Sequence, residues 1–158
     1  MNALKELILT FFYTGYSPWA SGTAGTAGAF VLALLILPTV HFGAACAVIV
    51  AATLLIGIPL GKWAEARWGK KDPGPFVLDE VAGYFVTLFR IDAPKPEVAE
   101  LVVAFFAFRF FDVIKPPPAR RIEGLHGGLG IMLDDIVAGL YALAVVFAYR
   151  FWVLDMPF

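Results

Sequence analysis

Cysteine and histidine are nearly missing from this chain, which carries Cys46 alone and only His41 and His126. One cysteine excludes a disulfide frame and a thiolate metal cage. Set in an apolar run, Cys46 reads as a small hydrophobe. Charge is scarce too: 16% of the residues are Asp, Glu, Lys or Arg, against about 25% in ordinary soluble domains. The formal net charge of −1 offers none of the basic surface that nucleic acid requires. Low-complexity segments and clear repeats are also missing, although SGTAGTAG (Ser21–Gly28) holds a tandem GTA.

What fills the chain instead is apolar side chain. Sixty per cent of the 158 residues are hydrophobic and the mean hydropathy is +0.80. A domain this small leaves too much surface exposed to hide that excess from water. The expectation is one membrane-embedded domain over residues 1–158, all-α, a compact polytopic helix bundle. The start does not read as a signal peptide: Lys5 is followed at once by Glu6, and the apolar stretch Leu7–Tyr13 is short. Met1–Tyr16 is expected to lie as an amphipathic segment against the bilayer or the other helices. Four longer apolar stretches follow, about Ala24–Leu37, Phe42–Leu60, Val98–Phe111 and Ile136–Leu154. A bilayer core takes about 20 helical residues, so the second and fourth span it and the first is marginal.

A fifth stretch, Val81–Phe89, is too short to cross alone. Paired with the third it makes a short helical hairpin over residues 79–114, turning at Arg90–Pro96. That hairpin brings Asp79, Glu80, Arg109, Asp112 and Lys115 to one membrane face. Asp134 and Asp135 join them, because Pro116–Leu133 is not apolar enough to cross. Lys5, Lys62, Arg67, Lys70, Lys71, Lys115, Arg120 and Arg121 fall on that face, with Arg109 just inside it. The other face has Arg90, Lys95 and Arg150. The imbalance predicts that the charged face is cytoplasmic.

Charge at the mouth of a membrane helix is costly unless something compensates it. Arg109, Asp112 and Lys115 fall at i, i+3 and i+6, within about 120° of arc on one helix face, and Pro116–Pro118 stop that helix. The same spacing also suits an internal ion pair at a helix end. Asp79, Glu80, Asp134 and Asp135 also suit the role of acids in a first helical turn. Brought to one face with Asp72 and Asp112, however, they amount to six carboxylates against three nearby cations. Like charges that close require protons or a divalent cation between them. All-oxygen ligands favour a hard cation, Mg²⁺ ahead of Ca²⁺ or Mn²⁺. The expected metal ligands are Asp72, Asp79, Glu80, Asp134 and Asp135.

Glycine-rich segments suit phosphate. SGTAGTAG offers the hydroxyls of Ser21, Thr23 and Thr26 and free backbone N–H groups before a helix start. Small residues at close helix contacts have the same look. In EGLHGGLG, Gly124, Gly127, Gly128 and Gly130 allow close backbone approach, as a phosphate cradle or a tight turn. The substrate-binding set is therefore Ser21, Thr23, Thr26, Lys71, Arg109, Lys115 and Gly128. His126 is the one histidine on the charged face, so a two-histidine phosphatase site is excluded. Cys46 lacks the loop and arginine of a cysteine phosphatase, and neither a DxDx nucleophile nor a DGxxAR motif is present. Metal-assisted attack by water remains.

Four segments carry a resemblance: YSPWASGTAGTAGAF, DPGPFVLDEVAGYFV, FRFFDVIKPPPARRIE and GGLGIMLDDIVAG. In this order and spacing they resemble phosphatidylglycerophosphatase A, a family of bacterial membrane lipid phosphatases. Ser21 stands where that family's pattern leads one to expect proline before GT. The resemblance implies an all-helical enzyme of the cytoplasmic membrane. It implies Mg²⁺-dependent hydrolysis of phosphatidylglycerophosphate to phosphatidylglycerol and phosphate, in phospholipid biosynthesis.

The expected catalytic set is Asp79, Glu80, Arg109, Asp112, Lys115, Asp134 and Asp135. The carboxylates would hold one or two Mg²⁺, Arg109 and Lys115 would clamp the phosphate, and Asp112 or Glu80 would serve as base. Lys70, Lys71, Arg120 and Arg121 would draw an anionic headgroup to the surface. The expected partners are the lipid substrate and the bilayer, with no nucleic acid and no obligate protein partner. Two alternatives are a phosphatase of another lipid monophosphate, such as phosphatidic acid, and a small transporter with a carboxylate-lined ion site.

Overall fold

Backbone polar groups inside a bilayer must be satisfied within their own segment, which an apolar chain of this size meets by folding as helices. The computed structural model describes residues 2–39, 41–89 and 97–153, and among them there is no strand. The helices are α1 (Asn2–Leu9), α2 (Ser21–Ile36), α3 (Phe42–Trp68), α4 (Leu78–Thr87), α5 (Val98–Ile114), α6 (Ala119–Ile122) and α7 (Gly128–Val153), with a 3₁₀ turn at Thr14–Tyr16. Helices α3 and α7 are long and apolar enough to cross a membrane. The expected turn at Arg90–Pro96, with Arg90 and Lys95, and the end of the last stretch at Leu154 lie outside the described residues.

Several boundaries differ from those read in the sequence. SGTAGTAG is helix from Ser21 onward rather than a loop. Its small residues let backbones approach: a Cβ on Gly25 would run into Val77, and one on Gly22 into Glu80 and Arg109. Such contact compensates weak helix propensity in a close-packed bundle. Helix α7 starts at Gly128, which packs against Ile58 of α3. Asp134 and Asp135 therefore sit in its second turn, not its first. Only Gly127 in that glycine-rich segment has positive φ, at 74°, and its N–H donates to Glu65 Oε1 at 3.0 Å.

The packing directions decide where the charges go. Helices α4 and α5 run antiparallel, since Glu80 faces Arg109 and the Tyr84 hydroxyl donates to the Leu101 carbonyl at 3.0 Å. Helices α4 and α7 run parallel, meeting backbone to backbone at Gly83 and Gly139. The glycines lie four residues after Asp79 and Asp135, on the same face and one turn deeper. A parallel crossing with both glycines in contact therefore sets the two carboxylates side by side. The N-termini of α2, α4 and α7 and the C-terminal parts of α3 and α5 share this end of the bundle.

Aromatic residues and one ion pair mark the two ends. Trp19 stands 94% exposed before α2, and Trp152 stands 78% exposed near the end of α7, the placement of interfacial anchors. At the end away from the carboxylates, Arg150 meets Glu100 at 3.1 Å, both buried. The core between is apolar and includes Phe42, Tyr84, Phe85, Leu101 and Phe108.

Candidate active site

Asp79, Glu80 and Asp135 offer carboxylate oxygens that all lie within 4.8 Å of one another. Asp79 and Asp135 are buried and Glu80 nearly so. At that separation two ionised carboxylates repel by roughly 3.5 kcal/mol at an effective dielectric of about 20. At its edge stands Arg109, whose guanidinium lies 3.9 Å from Glu80 Oε1 and is tied more closely to Asp112. Glu80 Oε2 is buried with no hydrogen-bond partner. Three crowded carboxylates, an orphaned oxygen and no sulfur or imidazole donor fit a hard divalent cation.

Beside this trio lies a second charged group. Lys115 ends α5 in the left-handed region, with φ 48°, and Pro116 prevents the helix from continuing. Its ammonium donates to Asp134 Oδ2 at 2.6 Å and Glu123 Oε1 at 3.1 Å. Asp134 Oδ1 is buried and unpartnered, beside a cleft with room for about one water, lined by Lys71, Asp72, Glu123 and Asp134 among others. Asp72 sits at the rim. Partial desolvation raises its carboxyl above the ordinary range, while Lys115 and Lys70 pull the other way.

The structure thus divides the expected residues. Asp79, Glu80 and Asp135 gather as one cluster, Arg109 and Asp112 border it, and Lys115, Asp134 and Asp72 form the adjoining wall. Of the expected phosphate-binding residues, Thr23 is exposed and Ser21 partly so at the start of α2. Thr26 is buried, its hydroxyl donated to the Gly22 carbonyl at 2.8 Å. Lys71 donates to the Gly124 carbonyl at 2.7 Å, and Gly128 is buried against α3. His126 is exposed.

Three features went unread in the sequence. Glu123 as a partner of Lys115 has no periodic signal, because a turn and α6 separate the two. The Gly83–Gly139 crossing could have been suspected from the matching i+4 offset to the acids. Glu100, in the apolar run VAELVVAFF, gave a signal as an isolated acid, and Arg150 is its partner.

The fold and site together define a class: a small all-helical enzyme with buried carboxylates and cations converging at one end of an apolar bundle. Comparison with known proteins narrows it. The family model for Phosphatidylglycerophosphatase A matches residues 7–150, and the chain belongs to that family. It is 36% identical to Phosphatidylglycerophosphatase A of Haemophilus influenzae, over 94% of this chain and 90% of the relative. To the protein of that name from Escherichia coli it is 32% identical, over 90% and 81%. It is also 34% identical, over 96% of each chain, to a candidate phosphatidylinositol-3-phosphatase of Bacteroides thetaiotaomicron. No solved structure gives a significant match.

Proposed function

We propose that the chain hydrolyses phosphatidylglycerophosphate to phosphatidylglycerol and phosphate with the help of Mg²⁺. The observation that carries this reading is the buried Asp79, Glu80 and Asp135 cluster with Arg109 at its edge, in a member of this family. Those three carboxylates would hold the cation, with Asp134 and Asp72 on the adjoining wall as further donors. A bound Mg²⁺ supplies positive charge that offsets both the carboxylates and the phosphate oxygens.

The chain's own groups do the rest. Arg109, held in place by Asp112, grips two phosphate oxygens with its planar fork. Lys115, held between Asp134 and Glu123, adds a point charge where negative charge develops. Water attacks phosphorus and gives a proton to Asp112, the carboxylate that borders the trio without belonging to it. The phosphorus–oxygen ester bond breaks, and the leaving glycerol oxygen takes up a proton from solvent water. Ser21, Thr23 and Lys71 line the approach for the headgroup; Thr26 and Gly128, through packing, fix where α2 and α7 begin.

The reading places one domain across the bacterial cytoplasmic membrane in several passes, with the site toward the cytoplasm. Its support is the basic set at the site end, where Lys5 lies over the Trp63 ring and Arg67 pairs with Glu6, beside Lys62, Lys70, Lys71, Arg120 and Arg121. Charges gathered at one end also suit an interfacial enzyme better than a transporter with a midplane site. The name carried by the Bacteroides relative keeps one second reading open, another lipid phosphomonoester as substrate. Phosphate release by purified protein from phosphatidylglycerophosphate, phosphatidic acid and phosphatidylinositol 3-phosphate tests the choice. Preference for the first supports the proposal; release from the third alone replaces its substrate, and release from none refutes it.

A further inference from the structure

An apolar groove of about 240 Å³ lies between α2 and α5, lined by Ala27, Phe30, Val102, Phe105 and Phe106. On α5, Val102, Phe105 and Phe106 precede Arg109 by seven, four and three residues, which puts all four on one face. Val102 is about 10 Å along the axis from Arg109. On α2, Thr23, Ala27 and Phe30 share a face by the same spacing. The two helices come together at the site, where a Cβ on Gly22, the residue before Thr23, would come within 2.9 Å of the Arg109 guanidinium. Phe30 and Phe105 meet edge to face at 6.2 Å to form the floor, and Phe106, 67% exposed, makes one wall. The lining of the groove is wholly apolar, and on α5 it begins one helical turn from the phosphate-gripping cation.

We propose that this groove seats an acyl chain of the lipid whose phosphate lies at Arg109, so that α2 and α5 hold substrate by head and tail together. The proposal rests on the reading that the Arg109 site takes a lipid phosphomonoester. Bulk lipid would fill the groove without regard to headgroup. A seated substrate chain ties occupancy of the groove to a phosphate at Arg109.

Two measurements test it. The first uses photoreactive phosphatidic acid with a diazirine in one acyl chain, compared with phosphatidylcholine bearing the same chain, on intact protein in micelles with EDTA present. Labelling of the Ala27–Phe30 and Val102–Phe106 segments should favour the monophosphate, and Arg109→Gln should abolish that preference. Equal labelling by both lipids would overturn the proposal. The second compares Ala27→Phe, which fills the groove, with Leu35→Phe on the exposed far part of α2. Ala27→Phe should lower kcat/KM for a long-chain phosphatidylglycerophosphate by about tenfold, mostly through KM, and leave a dibutyryl analogue unaffected. Loss on both substrates, or on neither, would refute a chain seat. Headgroup-dependent labelling in a protein that releases no phosphate would keep the groove and sink the hydrolysis instead.

Discussion

Gly83→Ala tests whether the crossing of α4 and α7 sets the geometry of the site. An added Cβ would stand 2.6 Å from the Asp135 carbonyl oxygen and 2.5 Å from the Phe108 ring. Ordinary contact begins near 3.4 Å, so the backbones must part by roughly 0.8 Å. The movement falls one turn below Asp79 and on the backbone of Asp135 itself, and carries through to both carboxylates. Misplacement of about 1 Å costs on the order of a hundredfold in rate. Stability should change far less: overpacking costs about 1–3 kcal/mol, and Ala regains up to about 1 kcal/mol of helix propensity over Gly. The assay is phosphate release from phosphatidylglycerophosphate in micelles, beside thermal unfolding of the same samples. Gly74→Ala is the matched control, because its Cβ would meet only Ser21 Oγ at 3.4 Å. The expected result is a 10- to 100-fold loss of turnover in a protein that stays folded. Full activity in Gly83→Ala with unchanged unfolding would refute the argument that this crossing positions the carboxylates.

Other expectations concern single groups. Asp79→Asn should abolish turnover while membrane abundance stays near wild type; loss of the protein itself would indicate that the cluster is structural. Arg109→Lys keeps the charge but loses the fork, and kcat should fall by about 2–3 orders of magnitude, as steady-state rates would show. Lys115→Met leaves Asp134 buried without its counter-charge and should cost about 3–5 kcal/mol of stability. Adding Asp134→Asn should restore most of that in an unfolding titration without restoring activity.

The helical class and the long spans were legible because continuous apolar runs have few other solutions, and α3 is the clearest case. The convergence of Asp79 and Glu80 with Asp134 and Asp135 followed from counting crossings rather than from any motif. What stayed hidden depends on contacts between distant segments. Ser21–Gly28 looked like a loop because glycine is a poor helix former in isolation; Val77, Glu80 and Arg109 make those glycines a packing surface. The start of α7 was misplaced by several residues for the same reason, since Gly128 belongs against Ile58. The division of the carboxylates between a tight trio and a Lys115-bound pair depends on which way each helix face turns. Adjacent acids in sequence point to different partners once helical: Asp134 to Lys115, Asp135 to Asp79 and Glu80.

The central claim is that Asp79, Glu80 and Asp135 need a divalent cation before a lipid phosphate can be cleaved. Its most direct test is phosphate release from phosphatidylglycerophosphate by purified, EDTA-stripped protein across a Mg²⁺ titration. The account predicts no turnover without the cation, saturable recovery as it is added, and no recovery in Asp135→Asn. Sustained turnover in excess EDTA would contradict it.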